Sequence, residues 1–253
     1  MITVEKHDGI AILTMAYGKV NAIDIELLQE LQSRLNEIEP SDERAVILTA
    51  QGKTFSAGVD LFRLLEESAD YVQRFLPCFN DTLLQLFTFP KPVVAAVNGH
   101  AIAGGCILMC AADLRLLTED EAKVGVPELL VGLPFPSLPI EVLRSCVPPN
   151  SLQEIIYEGQ NYSPKQALTV GLVDEITSSK KLMKRALKHA NRLASVSPQT
   201  FQLTKRLLRR PFVERYKNLS EFDQEAVDIW SDPKQRDHVK AYLARTFEKA
   251  AKQ

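Results

Sequence analysis

The chemistry-bearing residues of this chain cluster at two glycine corners. The first reads Phe55-Ser-Ala-Gly58-Val59-Asp60, the second Asn98-Gly99-His-Ala-Ile-Ala-Gly104-Gly105-Cys106. Each follows an apolar run with the pattern of a buried strand and precedes a helical pattern. Glycine admits φ > 0 and lets backbone approach a ligand closely. The N–H groups that open a helix have no intrahelical acceptor and carry partial positive charge. Set side by side, two such corners aim two N–H donors at one point, which is the geometry of an oxyanion hole. Taken alone, each corner has a plainer reading: Gly104-Gly105 as a site of tight helix–sheet packing, Gly58 as a turn. A phosphate loop is excluded. Gly99 and Gly104 have its G-x-x-x-x-G spacing, but Gly105-Cys106 stands where Lys-Ser/Thr is required. The dinucleotide pattern G-x-G-x-x-G is absent too.

The elements around the corners read as an α/β core. Ile2–His7 and Ile10–Met15 form a hairpin about Asp8-Gly9. Asp24 caps a helix whose stripe is Leu27, Leu28, Leu31, Leu35 and Ile38. The continuous apolar runs 45–50 and 93–97 predict buried strands. Residues 61–88 are mostly helical, with a break expected at Pro77, and Asp113–Leu117 is a further strand. Strand–helix units near 10–38, 45–88 and 93–111 suggest a repeated architecture, although no clean sequence repeat or linker is present. From about residue 134 the pattern is almost all helical, with Ser163-Pro164 and Ser197-Pro198 as helix starts and 171–176 as an extended exception.

Composition narrows the classes. A 253-residue chain, 45 % hydrophobic and 25 % charged, is long enough to bury a full core without staples. A net charge of −2 argues against a nucleic-acid binder that works by bulk charge. The longest apolar stretch, Ala101–Ala112, is too short for a bilayer, which takes ~20 residues. The start Met-Ile-Thr-Val-Glu has no leader pattern, and Ala251-Lys252-Gln253 matches no prenylation or peroxisomal tripeptide. Cys78, Cys106, Cys110 and Cys146 read as small hydrophobes in a reducing, cytoplasmic setting. His7, His100, His189 and His238 have no metal-ligand spacing, so no metal is expected.

Seven segments together carry a resemblance. They are Asn21-Ala22; Phe55-Ser-Ala-Gly-Val-Asp-Leu61; Lys91-Pro-Val-Val-Ala-Ala-Val-Asn-Gly99; Ala103-Gly-Gly-Cys106 with Asp113; Ala122-Lys-Val-Gly-Val-Pro-Glu128; Ala167-Leu168 with Gly171-Leu-Val-Asp174; and Ser197-Pro198. In this order, over nearly the whole chain, they resemble the crotonase superfamily, the enoyl-CoA hydratase/isomerase family. The resemblance implies a spiral of ββα units over residues 1–190 and a helical region, 191–253, that builds a homotrimer or a hexamer. It implies acyl-CoA thioester substrates, with coenzyme A arriving as part of the substrate and no tightly bound cofactor. It implies an enolate held by two backbone donors, which fall on the N–H groups of Val59 and Gly104. Ala57 and Leu61 would then lie near the adenine end, with Asp60, Arg63 and Gly105 close by. Nucleic-acid and membrane partners are not expected.

The resemblance also bears on the reaction. Hydratases of the family carry one glutamate three residues after the oxyanion glycine, where this chain has Ile107. They tend to carry a glycine eight residues after a second glutamate, where this chain has Pro136. The second glutamate itself is matched by Glu128. One carboxylate beside an oxyanion hole suits a proton shuttle, in which Glu128 takes a proton from C2 of a 3-enoyl-CoA and returns it at C4. This matches the family's Δ3,Δ2-enoyl-CoA isomerases. A hydratase, hydrolase or decarboxylase on the same fold, or a non-catalytic acyl-CoA-binding subunit, are the alternatives. Pro127-Glu128 is also a common first-turn pair. Burial near Val126, Leu129 and Leu130 would lift the glutamate's pKa and the helix dipole would oppose that.

The remaining candidates are weaker. His100 reads as a turn residue, and Asp60 and Asp113 as structural. Phe62 stands where some relatives place a lysine for the CoA phosphates. The stretch 180–217 holds twelve Lys/Arg and one acid, Glu214. Its bland reading is a solvated helix face. Its functional reading places Lys205 at the CoA phosphates.

Overall fold

The apolar runs become strands of two sheets. In the computed structural model, which describes residues 1–250, β1 (Ile2–His7) and β2 (Ile10–Met15) form the expected hairpin, followed by α1 (Ile25–Ile38). The Asp24 carboxylate accepts from Leu27 N and so caps α1. Next come β3 (Ala45–Ala50), β4 (Thr54–Ser56), α2 (Leu61–Glu66) and α3 (Ala69–Thr88). Then β5 (Val93–Val97), β6 (His100–Ile102) and α4 (Gly104–Cys110) are followed by β7 (Leu114–Thr118), β8 (Val124–Gly125) and α5 (Glu128–Val131).

Those three runs have one plan. A longer strand joins the six-stranded sheet β1-β2-β3-β5-β7-β10, a short strand joins the four-stranded sheet β4-β6-β8-β9, and helix follows. This is the ββα spiral of a crotonase fold. Every neighbour pair from β2 to β10 is parallel, and Val46 faces Val93 while Val94 faces Leu114. Parallel pairing buries both faces. Ala45, Ile47, Val94 and Ala96 point to a cluster capped by α9, while Val46, Leu48 and Ala95 point into the main core.

The rest is helical: α6 (Ser137–Cys146), α7 (Pro149–Glu158), α8 (Pro164–Thr169), α9 (Ser179–Ala194), α10 (Pro198–Lys217), α11 (Ser220–Ser231) and α12 (Pro233–Ala250). Two short strands interrupt it, β9 (Asn161–Tyr162) and β10 (Glu175–Thr177). Leu182, Ala186, Ala190 and Ala194 recur every fourth residue, so α9 lays one small-residue stripe on the sheet.

Three expectations change. The break in 61–88 falls at Glu67-Ser68, and α3 runs through Pro77. The stripe Tyr71, Phe75, Phe79, Leu83 and Leu86 packs continuously into the core and outweighs one lost backbone bond. His100 opens β6 rather than making a turn, its Nδ1 accepting from Lys123 N. The extended piece expected at 171–176 forms later, at Glu175–Thr177. All four cysteines are free thiols. Among the described residues no helix is long and apolar enough to cross a membrane, and no group of three or more His, Cys, Asp or Glu could hold a metal ion. The tripeptide 251–253 lies outside the described residues.

Candidate active site

The two glycine corners meet. The first leaves β4 and is tied from behind by Asn21, which has φ +48°. Asn21 Nδ2 donates to Thr54 O at 3.0 Å, and Ser56 Oγ donates to Asn21 O at 2.7 Å. Ser56 Oγ in turn accepts from Gly58 N at 3.1 Å. Bonds from Ile23 N to Gly58 O and from Asp60 N to Ile23 O finish the loop. The second corner leaves β6, whose Ala103 N donates to Gly125 O on β8. Ala103 has φ +53°, a costly conformation for a residue with a Cβ, and it turns the chain sharply into α4. A Cβ built on Gly58 would lie 2.7 Å from Ala103 Cβ and 3.1 Å from Gly104 N. The corners therefore touch, and only glycine at position 58 permits it.

Among the described residues, neither Val59 N nor Gly104 N has a protein acceptor. Both residues line one cavity. Ala57 and Leu61 lie on its wall beside them. Leu76 and Phe79 of α3 and Ile107 of α4 add apolar wall. Such a pocket, apolar with few polar groups, is the usual form of a small-molecule site.

Glu128, the first residue of α5, is the one carboxylate among the described residues of the lining. Its Oε2 is buried and has no hydrogen-bond partner among the described residues. Burial pushes its pKa up from 4.5 to about 8. A hydrogen bond from its own backbone N–H opposes the rise only in part. Of the expected neighbours, Val126 is fully buried, while Leu129 and Leu130 are 42 % and 52 % exposed.

Four expected site residues are not brought to the cavity. Gly105 lies behind it, where a Cβ would sit 2.5 Å from Ser56 O, so it serves corner packing. Asp60 caps α2, accepting from Arg63 N. The Arg63 guanidinium is held by Asp24 and Glu26. Lys205 is 5 % exposed, with Nζ 2.7 Å from Asp113 Oδ2, and burial lowers its pKa to about 8. Arg209 completes this cluster on Asp113 Oδ1 and also donates to Ala111 O at the end of α4. A buried ammonium spent on a carboxylate is not free for a phosphate. Lys205→Met should cost about 1–3 kcal/mol of stability in a urea melt and leave acyl-CoA affinity intact. Loss of affinity at unchanged stability would restore the phosphate role.

Sequence reasoning missed Trp230 and Tyr242, which reach the cavity from α11 and α12. Neither lies in a motif. Arg236 pins α12 to the end of α2 through the carbonyls of Leu64, Leu65 and Glu67.

Comparison with known proteins agrees over the whole length. The family model for enoyl-CoA hydratase/isomerase matches residues 5–252. A short-chain-enoyl-CoA hydratase of Clostridium acetobutylicum is 30 % identical over 248 residues, 96 % of this chain and 95 % of that one. Mouse mitochondrial enoyl-CoA delta isomerase 1 is 26 % identical, over 83 % of this chain and 74 % of that one. The crystal structure of human mitochondrial Δ3-Δ2-enoyl-CoA isomerase superposes with a TM-score of 0.93 at 26 % identity, covering 98 % of each chain. Sequence, site geometry and relatives converge, and the chain belongs to the enoyl-CoA hydratase/isomerase family.

Proposed function

We propose that the protein is an enoyl-CoA isomerase that converts 3-enoyl-CoA to 2-trans-enoyl-CoA. One observation carries the choice over hydration: among the described residues Glu128 is the single carboxylate lining the cavity, and Ile107, where a hydratase of the family would place a second, is an apolar wall residue. The thioester oxygen accepts from Val59 N–H and Gly104 N–H. Glu128 takes a proton from C2, and the dienolate charge rests on that oxygen. The protonated Glu128 returns the same proton at C4, which leaves the double bond between C2 and C3. Nothing is oxidised, no water is consumed and no resident cofactor is needed. Coenzyme A enters and leaves as the thioester.

The purified protein should raise enoyl-thioester absorbance when given 3-hexenoyl-CoA and should consume crotonyl-CoA only slowly. Rapid loss of crotonyl-CoA absorbance would make it a hydratase and overturn the reading of Ile107.

In this reading residues 1–190 form the core that carries the site and 191–253 the assembling region. Leu203, Leu207 and Leu208 are 56 %, 60 % and 69 % exposed along α10, an apolar strip suited to a partner subunit. Light scattering should report a trimer or hexamer, and Leu207→Asp with Leu208→Asp should shift it toward monomer. A wild-type monomer at micromolar concentration would end the assembly proposal. The free thiols suit a reducing, cytoplasmic setting.

A further inference from the structure

Helix α11 grips the segment after α5 at two points. Trp230 Nε1 donates to Pro134 O at 2.9 Å. The Asp223 carboxylate accepts from Ser137 N at 2.7 Å and from the Ser137 hydroxyl. The two residues are seven apart and so rise from one face of the helix. Between the grips, Phe135 and Pro136 face the cavity. Trp230 is 4 % exposed and stacks on Phe75 at 6.3 Å, which stacks on Phe79 at 6.1 Å. The other end of this column reaches the reacting corner, since a Cβ on Gly104 would lie 3.5 Å from Phe79 Cζ. The rings thus run from Gly104 to the gripped segment, with Phe79 and Trp230 lining the cavity and Phe75 fully buried between them. Moving Trp230 aside would break a buried hydrogen bond and leave both partners unpaired, so the wall is stiff.

We propose that the segment 134–137, clamped by Asp223 and Trp230, is the end stop of an acyl pocket. Phe135 is the residue that sets the longest straight acyl chain the site accepts. The inference rests on the acyl-CoA reading above and adds a substrate limit to it. Each methylene buried along the apolar wall tightens binding about fourfold. The gain ends where the chain meets Phe135, because a close-packed wall that cannot relax rejects added volume. Asp223 acts through the segment it holds and is a positioning residue, whereas Trp230 both holds the segment and lines the cavity.

Calorimetric titration with butyryl-, hexanoyl-, octanoyl-, decanoyl- and dodecanoyl-CoA tests this directly. Affinity of the wild-type protein should climb with length and then fall by about tenfold or more at one step. In Phe135→Ala the fall should move to a longer chain. In Trp230→Phe, which keeps a ring but loses the N–H, the fall should become shallower and the melting temperature should drop by several degrees, because Pro134 O is left unpaired. A wild-type series without a break, or a break at the same length in Phe135→Ala, overturns the end stop. An unaltered break in Trp230→Phe overturns the clamp. If Phe135→Ala does not fold, Phe135→Leu must move or soften the break, or the proposal falls. These ligands are saturated, so the outcome is separate from catalysis. A break without isomerisation of 3-hexenoyl-CoA sinks the reaction and keeps the stop; isomerisation without a break does the reverse.

Discussion

Glu128→Gln should slow isomerisation of 3-hexenoyl-CoA by about 10²- to 10⁴-fold and leave affinity for a saturated acyl-CoA largely unchanged. The amide keeps the size of the side chain and its place in the cavity wall but cannot take a proton from C2. Among the described residues no other carboxylate lines the cavity to substitute for it. With a pKa of about 8, the wild-type side chain is a strong base that is mostly protonated at neutral pH. Activity of the free enzyme should therefore rise about tenfold per pH unit below 8 and level off above it. Stability carries the opposite sign. Between the ordinary value of 4.5 and about 8, the folded protein keeps a proton that the unfolded chain has lost. This group therefore subtracts from wild-type stability progressively as pH rises through that window. Glutamine has no such liability. The variant should be the more stable protein at pH 8, by on the order of 2–4 kcal/mol, and the difference should vanish near pH 4. Thermal melts across that range read the stability, and turnover reads the chemistry. A variant within about tenfold of wild-type turnover would assign the proton transfer to another group.

The parts of this site that the sequence reveals are those written into local backbone chemistry. A buried strand, a glycine and a helix start leave a short-range pattern, so both corners were legible, and so was Asp24 as the cap of α1. The second sheet was not. Its strands are two or three residues long, and such pieces show neither alternation nor a bounded apolar run. Pro77 misled because a local rule about helices was outweighed by the aromatic face that α3 presents to the core. Lys205 misled for a related reason. It sits in a basic run that reads as surface, and the partner that buries it, Asp113, is 92 residues upstream. Trp230 and Tyr242 are further instances. Their place in the cavity depends on how α11 and α12 fold back over the core, and no spacing in the chain encodes that. The direction of the Glu128 pKa shift was open in the sequence for the same cause. The opposing terms were burial and a helix dipole, and only the fold reveals that burial prevails.

Gly58→Ala should lower turnover by about 10²- to 10³-fold, the cost of misplacing one oxyanion donor. Position 58 has φ +86°, where any side chain is strained. It also has no room, because the added methyl would meet Ala103 Cβ and Ile102 O at 2.7 Å. Both obstacles belong to the second corner, one of them backbone, so the methyl can be accommodated only by moving the corners apart. On the proposed mechanism, Val59 N–H and Gly104 N–H would then no longer share one oxygen, although Glu128 on α5 is untouched. Stability will fall as well, so a control must carry the conformational cost alone. Gly9, at the tip of the β1–β2 hairpin, has φ +77° and nothing within 4 Å of a built Cβ. Gly9→Ala should cost about 1–2 kcal/mol of stability and leave turnover at the wild-type level. Comparing the two variants under conditions where each is fully folded separates strain from chemistry. Near-normal turnover in folded Gly58→Ala would mean that the two amides do not share one oxygen. The mechanism would then have to find its charge stabilisation elsewhere in the cavity.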